Sequence, residues 1–393
     1  MAGSTNGFRL LDLPAEIREL IYHMVLSPIE NKRDLGDGYK SYRYDLNILR
    51  VNRQLYFEAR KVFRHDNIFV SIETPWPQAQ QPVALEGYVP IVICEGRAEN
   101  FTHTHLAVTI DAPGFEVSAQ EPRKFVILVD DLATFCEMWY YSDLGHPGLN
   151  NHLRLTLQLR NPNALEFEDK PIPKALQQQL LKPFGMVKGL HEVRVRGEHY
   201  ESIAKQMREE MDVPYESPEK CLEKGTRLKD AGNAELQKKN YVEAIRLYEE
   251  AFRAIHIICI GRRRSIWGDA FFHEELKSGE FKGQFGQIVR LVLRVRLVAN
   301  IVLAYLKMED YTEAHFWGMR SISIMRQSVE SDQPMLDFAA ANEMGKIYYR
   351  TGMASKALGN RQEALELIRV ASLYLPRDTV VQKDLAALAP RLG

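Results

Sequence analysis

Apolar residues at Ile17, Leu20, Ile21, Met24 and Val25 recur at helical spacing and predict one amphipathic helix with a single apolar stripe. Pro14 suits its first turn, and Glu16 favours its positive end. A Gly- and Tyr-bearing loop, Asp34 to Asp45, is expected next. A second helix from Leu46 to about Arg64 then puts Val51, Leu55, Ala59 and Val62 on one side, and Asn67 to Ile72 reads as a strand. After a Pro- and Gln-rich loop, Thr74 to Pro82, short β-branched runs alternate with helical pattern. Leu106 to Ile110, Phe125 to Val129, Leu153 to Leu159 and Glu192 to Val195 predict strands, and Asp131 to Tyr141 and Pro173 to Lys182 predict helices. Trp139, Tyr140 and Tyr141 fall on the first of these helices and are expected in the core. From about Ser217, with Met211 to Pro218 as the junction, the pattern is helical to the end.

Three stretches of that last region repeat one helix-pair pattern. The first has Gly232-Asn233, Tyr241, Ala244-Ile245, Tyr248 and Ala251. The second has Ala299-Asn300, Ala304-Tyr305, Tyr311 and Ala314, and the third Lys346 to Arg350, Ala357 to Asn360, and Ala364. Small residues let paired helices approach, and aromatics fill the gaps between pairs. The step from Asn233 to Asn300 is 300 − 233 = 67 and that from Ala314 to Ala364 is 364 − 314 = 50. The former leaves room for roughly one extra repeat length, since helical repeats of this kind have a period of about 34. Each stretch places Lys, Arg or Asn on the inner face: Lys229 and Asn233, then Asn300, then Lys346 and Arg350. Lys229 with Asn233, and Lys346 with Arg350, stand one turn apart and share a face. Arg supplies a fork of donors, Lys a movable charge and Asn a neutral donor, a set suited to gripping paired carboxylates.

Composition narrows the remaining classes. With 51 Lys+Arg against 52 Asp+Glu, no global charge points to nucleic acid or an acidic membrane surface. The longest apolar run, Leu291 to Leu306, is broken by Arg294 and Arg296, so no membrane span is expected. Met1 to Asn6 lacks the features of a secretory signal, and four scattered cysteines without a Cys-x-x-Cys read as reduced thiols of a cytosolic or nuclear protein. Asn100-Phe-Thr102 is read as a loop or strand edge rather than a glycosylation site. His103 and His105, alternating in an expected strand, share a face but lack a third metal ligand. Arg262 to Arg264 is read as a solvated turn. No phosphate-cradling, nucleophile-elbow or metalloprotease motif occurs, so neither enzymatic activity nor a cofactor or metal is expected.

The segment Leu13-Pro14-Ala15-Glu16-Ile17 with its apolar helix, followed by Leu49 to Gln54, resembles the F-box, especially the divergent F-box-like domains of fungal proteins. That resemblance implies docking on the Skp linker subunit of cullin-RING ubiquitin ligases through Leu13, Pro14, Ile17 and Ile21. Two departures from the pattern are the long Asp34 to Asp45 loop and Gln54-Leu55-Tyr56 in place of the family's Arg-x-Trp. The helix-pair stretches resemble the tetratricopeptide repeat, and within that family the co-chaperone type. There the dicarboxylate clamp holds the Glu-Glu-Val-Asp tail of cytosolic heat-shock chaperones; it falls on Lys229, Asn233, Asn300, Lys346 and Arg350.

The expected architecture is therefore multidomain: an F-box-like helical module over 1–75, a mixed α+β domain over 76–210 and an all-α repeat domain over 211–393. The expected role is a cytoplasmic adaptor, either a ubiquitin-ligase substrate receptor or a co-chaperone or scaffold without a ligase link. A third reading places an unfamiliar enzyme in the central domain, with His103, His105, Asp130 and Asp131 as its polar groups.

Overall fold

The computed structural model describes residues 9–36, 38–76, 79–94, 96–113, 123–164, 171–329 and 336–388. Met1 to Asn6 and part of the Pro- and Gln-rich loop lie outside them. The chain forms two compact units, Met1–Tyr215 with Ile260–Arg263, and Glu216–Cys259 with Arg264–Gly393. No described helix is long and apolar enough to cross a membrane.

The first unit begins with α1 (Ala15–Leu26), a short α2 (Pro28–Asn31), strands β1 (Lys32–Gly36) and β2 (Tyr39–Tyr42), and α3 (Arg53–Asp66). Where the sequence suggested a loop over Asp34 to Asp45, β1 and β2 pair as an antiparallel hairpin. The hairpin is fastened through Lys32 Nζ and the Tyr42 hydroxyl, each 2.7 Å from the Asp131 carboxylate. Leu46–Arg50 is a 3-10 turn rather than the start of α3. The helix begins one residue after Asn52, whose Oδ1 accepts from the Leu55 amide at 2.9 Å and so satisfies a free end donor.

Two faces of α1 compete for the interior, and the less apolar one wins. Arg18, Tyr22 and Leu26 are buried, the last two against Leu55, Ala59 and Val62 of α3. Burying an arginine and a tyrosine is tolerated because Glu58 answers both. The Arg18 guanidinium donates to its carboxylate at 2.9 and 2.7 Å and to the Leu13 carbonyl at 2.6 Å, and the Tyr22 hydroxyl donates to Glu58 at 2.7 Å. These bonds, Arg18 foremost, pull the Glu58 carboxyl down to about 2.

After α3 come β3 (Phe69–Thr74), α4 (Gln80–Leu85), α5 (Gly96–Glu99), β4 (Leu106–Asp111), β5 (Arg123–Leu128) and α6 (Leu132–Gly145). Then follow β6 (Arg154–Leu159), α7 (Lys174–Leu181), β7 (Glu192–Arg196) and α8 (Glu201–Asp212). The five strands form one mixed sheet in the order β5-β3-β4-β6-β7. β3 pairs β4, and β6 pairs β7, in parallel; β3–β5 and β4–β6 are antiparallel. Alternation in β4 and β6 sends Leu106, Val108, Ile110, Leu155, Leu157 and Leu159 into one core with residues of α6, α7 and α8. Trp139 is in that core, its indole donating to Asn150 Oδ1 at 3.0 Å. The sheet takes interior strand β3 from the segment that the sequence assigns to the N-terminal module, and both segments lie in one compact unit.

Apart from the hairpin tip Ile260–Arg263, which is counted in the first unit, the second unit holds α9 (Pro218–Gln237), α10 (Tyr241–Ala254), β8 (Ile257–Ile260), β9 (Arg263–Ile266), α11 (Gly286–Lys307), α12 (Tyr311–Val329), α13 (Ala341–Ala357), α14 (Arg361–Tyr374) and α15 (Thr379–Leu388). It is a stack of three helical hairpins, α9/α10, α11/α12 and α13/α14, with α15 packed on the last. Each hairpin turns identically. Lys239, Glu309 and Gly359 have φ of 66°, 62° and 89°, and the next residue donates back into the first helix in every case: Asn240 to Glu235, Asp310 to Tyr305, Asn360 to Ser355. Ala244, Ala314 and Ala364 follow at equivalent places and are fully buried. Helix spacing is set by Gly232, where a Cβ would come within 2.5 Å of the Tyr248 ring, and by the equivalent Gly352, where it would meet Ile368 at 2.7 Å.

The interval between the first two hairpins is not another helix pair. It is the β8–β9 hairpin and irregular chain, whose Ile257, Phe272 and Leu276 join the core of the repeats. Buried Arg290 of α11 staples it, donating to the carbonyls of Ile255 (2.9 Å), Trp267 (2.6 Å) and His256 (3.3 Å) and to Asp269 Oδ1 (2.6 Å). The expected solvated turn Arg262 to Arg264 is only partly one: the Arg264 guanidinium lies 3.6 Å from the centre of the Trp317 ring, and burial pushes it down to about 9.

Candidate functional site

The turns supply an internal ruler for the inner face. Asn300 and Arg350 each lie nine residues before their left-handed turn residue (309 − 300 and 359 − 350), and Asn233 lies six before its own (239 − 233). They therefore occupy the first helix of three successive hairpins, two at equivalent positions and Asn233 one turn further along.

Three of the five candidate donors belong to one network. Asn300 Nδ2 donates to Asn233 Oδ1 at 2.7 Å, and the Tyr248 hydroxyl donates to the same oxygen at 2.9 Å. Arg350 Nη1 donates to the carbonyl of Ala299, the residue before Asn300. Burial drives the Tyr248 hydroxyl up to about 12, against the pull of the Arg350 charge, and burial brings Arg350 itself down to about 10. Arg350 has no carboxylate partner among the described residues, so a desolvated cation is held in place by a carbonyl. Lys346, one turn before Arg350, lines with it a cavity of about 780 Å³. Leu303, Leu306, Met353 and Val380 give that cavity apolar walls, and Lys307 and Lys356 add two cations against Asp378, the single carboxylate among the described residues of the lining. Lys229 stands apart: its ammonium lies 3.0 Å from Asp230 Oδ1, its one ion pair among the described residues.

Sequence reasoning treated Tyr248 as a packing residue and passed over Lys307 and Lys356. Lys307 had a signal, seven residues after Asn300 and so on the same side of α11. Lys356 had none at repeat spacing.

A second candidate surface is α1. Pro14 is exposed, Leu13 and Ile21 are partly so, and Ile17, Leu20 and Met24 are 43%, 59% and 72% exposed. The apolar stripe is thus the solvent face of a helix whose other face is already packed.

The four polar groups considered for central-domain chemistry lie in two separate settings. His103 and His105 precede β4 rather than lying in it, with ring centroids 6.0 Å apart. Burial pushes both down to about 4, and His103 Nε2 and His105 Nδ1 have no hydrogen-bond partner among the described residues. Asp131 is instead engaged by Lys32 and Tyr42, and burial raises its neighbour Asp130. No group of three or more metal-ligating side chains occurs among the described residues.

No family model matches the chain, and no curated protein matches it. Among solved structures, it is similar to the C-terminal TPR-containing domain of an FK506-binding protein of Plasmodium falciparum, with a TM-score of 0.30 and 18% identity over 44% of this chain and 91% of that one. So low a score adds nothing to the hairpin geometry of the second unit.

Proposed function

We propose that the protein is a non-enzymatic adaptor whose helical-repeat groove holds an acidic C-terminus, such as the Glu-Glu-Val-Asp tail of a heat-shock chaperone. The observation that carries this reading is the Asn233–Asn300 bond, with Arg350 anchored beside it and Lys346 in the adjoining cavity. A carboxylate entering there replaces a carbonyl as the counterpart of a desolvated guanidinium, and Lys346 adds a charge that moves to meet it. Calorimetry with a Glu-Glu-Val-Asp peptide tests it. Binding at the micromolar level, about −8 kcal/mol, is expected for the wild type, weakening with salt. Equal binding by Lys346→Ala and wild type excludes the groove.

The exposed stripe of α1 favours a second docking role, recruitment of the Skp linker subunit through Leu13, Pro14, Ile17 and Ile21, over a scaffold in which that helix is purely structural. Co-purification of an Ile17→Asp/Ile21→Asp variant with a Skp subunit as efficient as that of wild type removes this part and leaves a co-chaperone or scaffold.

A further inference from the structure

A basic cavity of about 790 Å³ opens in the first unit where α1 meets the last turns of α3. Arg60, Lys61 and Arg64 line it with His23 and His65, and Glu19 is the one carboxylate among the described residues of its lining. The nearby Asp66 is already engaged, by His23 at 2.5 Å and by His65 at 3.0 Å. Arg60 bonds only the Tyr56 hydroxyl, at 3.1 Å, and none of Arg60, Lys61 and Arg64 has a carboxylate partner among the described residues.

Cations near a helix C-terminus offset its dipole, and Arg64 and His65 stand in the last turn of α3. That account stops there, because Arg60 and Lys61 lie a full turn earlier, where the dipole is weak and like charges at i, i+4 repel. The local field is correspondingly positive. Arg64 is lowered by burial and then by Arg60, and His103 is lowered by burial and then by Arg64, Arg60 and Arg160.

We infer that this cavity is a binding site for a small polyphosphorylated molecule, gripped by Arg60 and Arg64 with Lys61 at its rim. Two arginines one turn apart, with Cβ atoms about 5–6 Å apart, offer two guanidinium forks to separate phosphate groups, which a single carboxylate does not fill. The volume falls in the range of about 300–1,000 Å³ usual for small-molecule sites. Asn163, also in the lining, adds a neutral donor. The inference is independent of the peptide groove, which lies in the other unit.

Calorimetry on the full chain tests it, with inositol hexakisphosphate as the probe, inorganic phosphate as the single-phosphate arm and sodium sulfate at matched ionic strength as the control. Micromolar binding of the hexakisphosphate is expected, with inorganic phosphate weaker by about a hundredfold and sulfate silent. Arg60→Gln/Arg64→Gln is expected to weaken the hexakisphosphate by about a hundredfold, whereas Arg60→Lys/Arg64→Lys keeps part of the affinity. If the glutamine pair does not fold, as judged by circular dichroism, exposed Lys61→Glu is expected to cost about tenfold. No binding by the wild type, or unchanged binding by the folded variants, overturns the proposal. A lowered Tm with unchanged affinity assigns these cations to the helix dipole instead.

Discussion

Helix α1 and the groove of the second unit present opposite solutions to exposing a surface. On α1 the apolar side chains point outward, while a charged network inside holds the helix to α3. In the repeat unit most apolar residues are packed in the core, and Asn300 bonds Asn233 across two hairpins. The first surface can change without disturbing the fold beneath it. The second cannot, because the half-buried Asn233 and Asn300 tie two hairpins together.

The largest effect expected from this contrast comes from the helix spacing. Gly232→Val drives a side chain into the Tyr248 ring and should destabilise the second unit by about 3 kcal/mol or more, read as an early transition in thermal unfolding. Leu20→Asp, on the open face of α1, should stay within about 0.5 kcal/mol of wild type in the same measurement. Glu58→Ala comes next. It leaves the Arg18 guanidinium buried with only the Leu13 carbonyl, at a cost of about 1–3 kcal/mol in denaturant unfolding.

Acid sharpens the same point more gently. Because the Glu58 carboxyl is depressed in the folded state, to about 2, its contribution is complete above the ordinary carboxylate range. It is lost as pH falls from about 4.5 towards 2, so the α1–α3 contact should weaken in that window, and Glu58→Gln should remove that part of the pH dependence. The smallest effect is a gain. Lys239 and Glu309 hold positive φ without being glycine, and Lys239→Gly and Glu309→Gly should each raise stability by a few tenths to about 1 kcal/mol, seen as a small increase in Tm.

The helices and strands themselves were largely legible, because their apolar periods are local: β4, β6, β7 and α6 lie within a few residues of where the pattern puts them. The repeats were legible for the same reason, since Gly232, Ala244, Ala314 and Ala364 answer to packing within one hairpin. What the pattern could not reveal depends on distant partners. Nothing in the spacing of Ile17, Leu20 and Met24 says that Glu58, forty residues on from Arg18, will draw the opposite face inward. The β1–β2 hairpin is likewise secured by Asp131, far along the chain. In the candidate groove, residue type and spacing pointed to Asn233, Asn300 and Arg350, but not to Tyr248 as the hydroxyl that orients Asn233. Nor did they foretell that Lys229 would turn to Asp230.

Arg290 makes the β8–β9 excursion something other than an ornament. An engineer who shortened the chain between the first and second hairpins to restore a regular period would strip the Trp267 and Asp269 acceptors from a guanidinium buried in the core. The same excision would hollow out the space now filled by Phe272 and Leu276. The outcome would be a collapsing stack rather than a tidier one, so a minimal version of this array must keep the excursion or replace Arg290 and refill that void together.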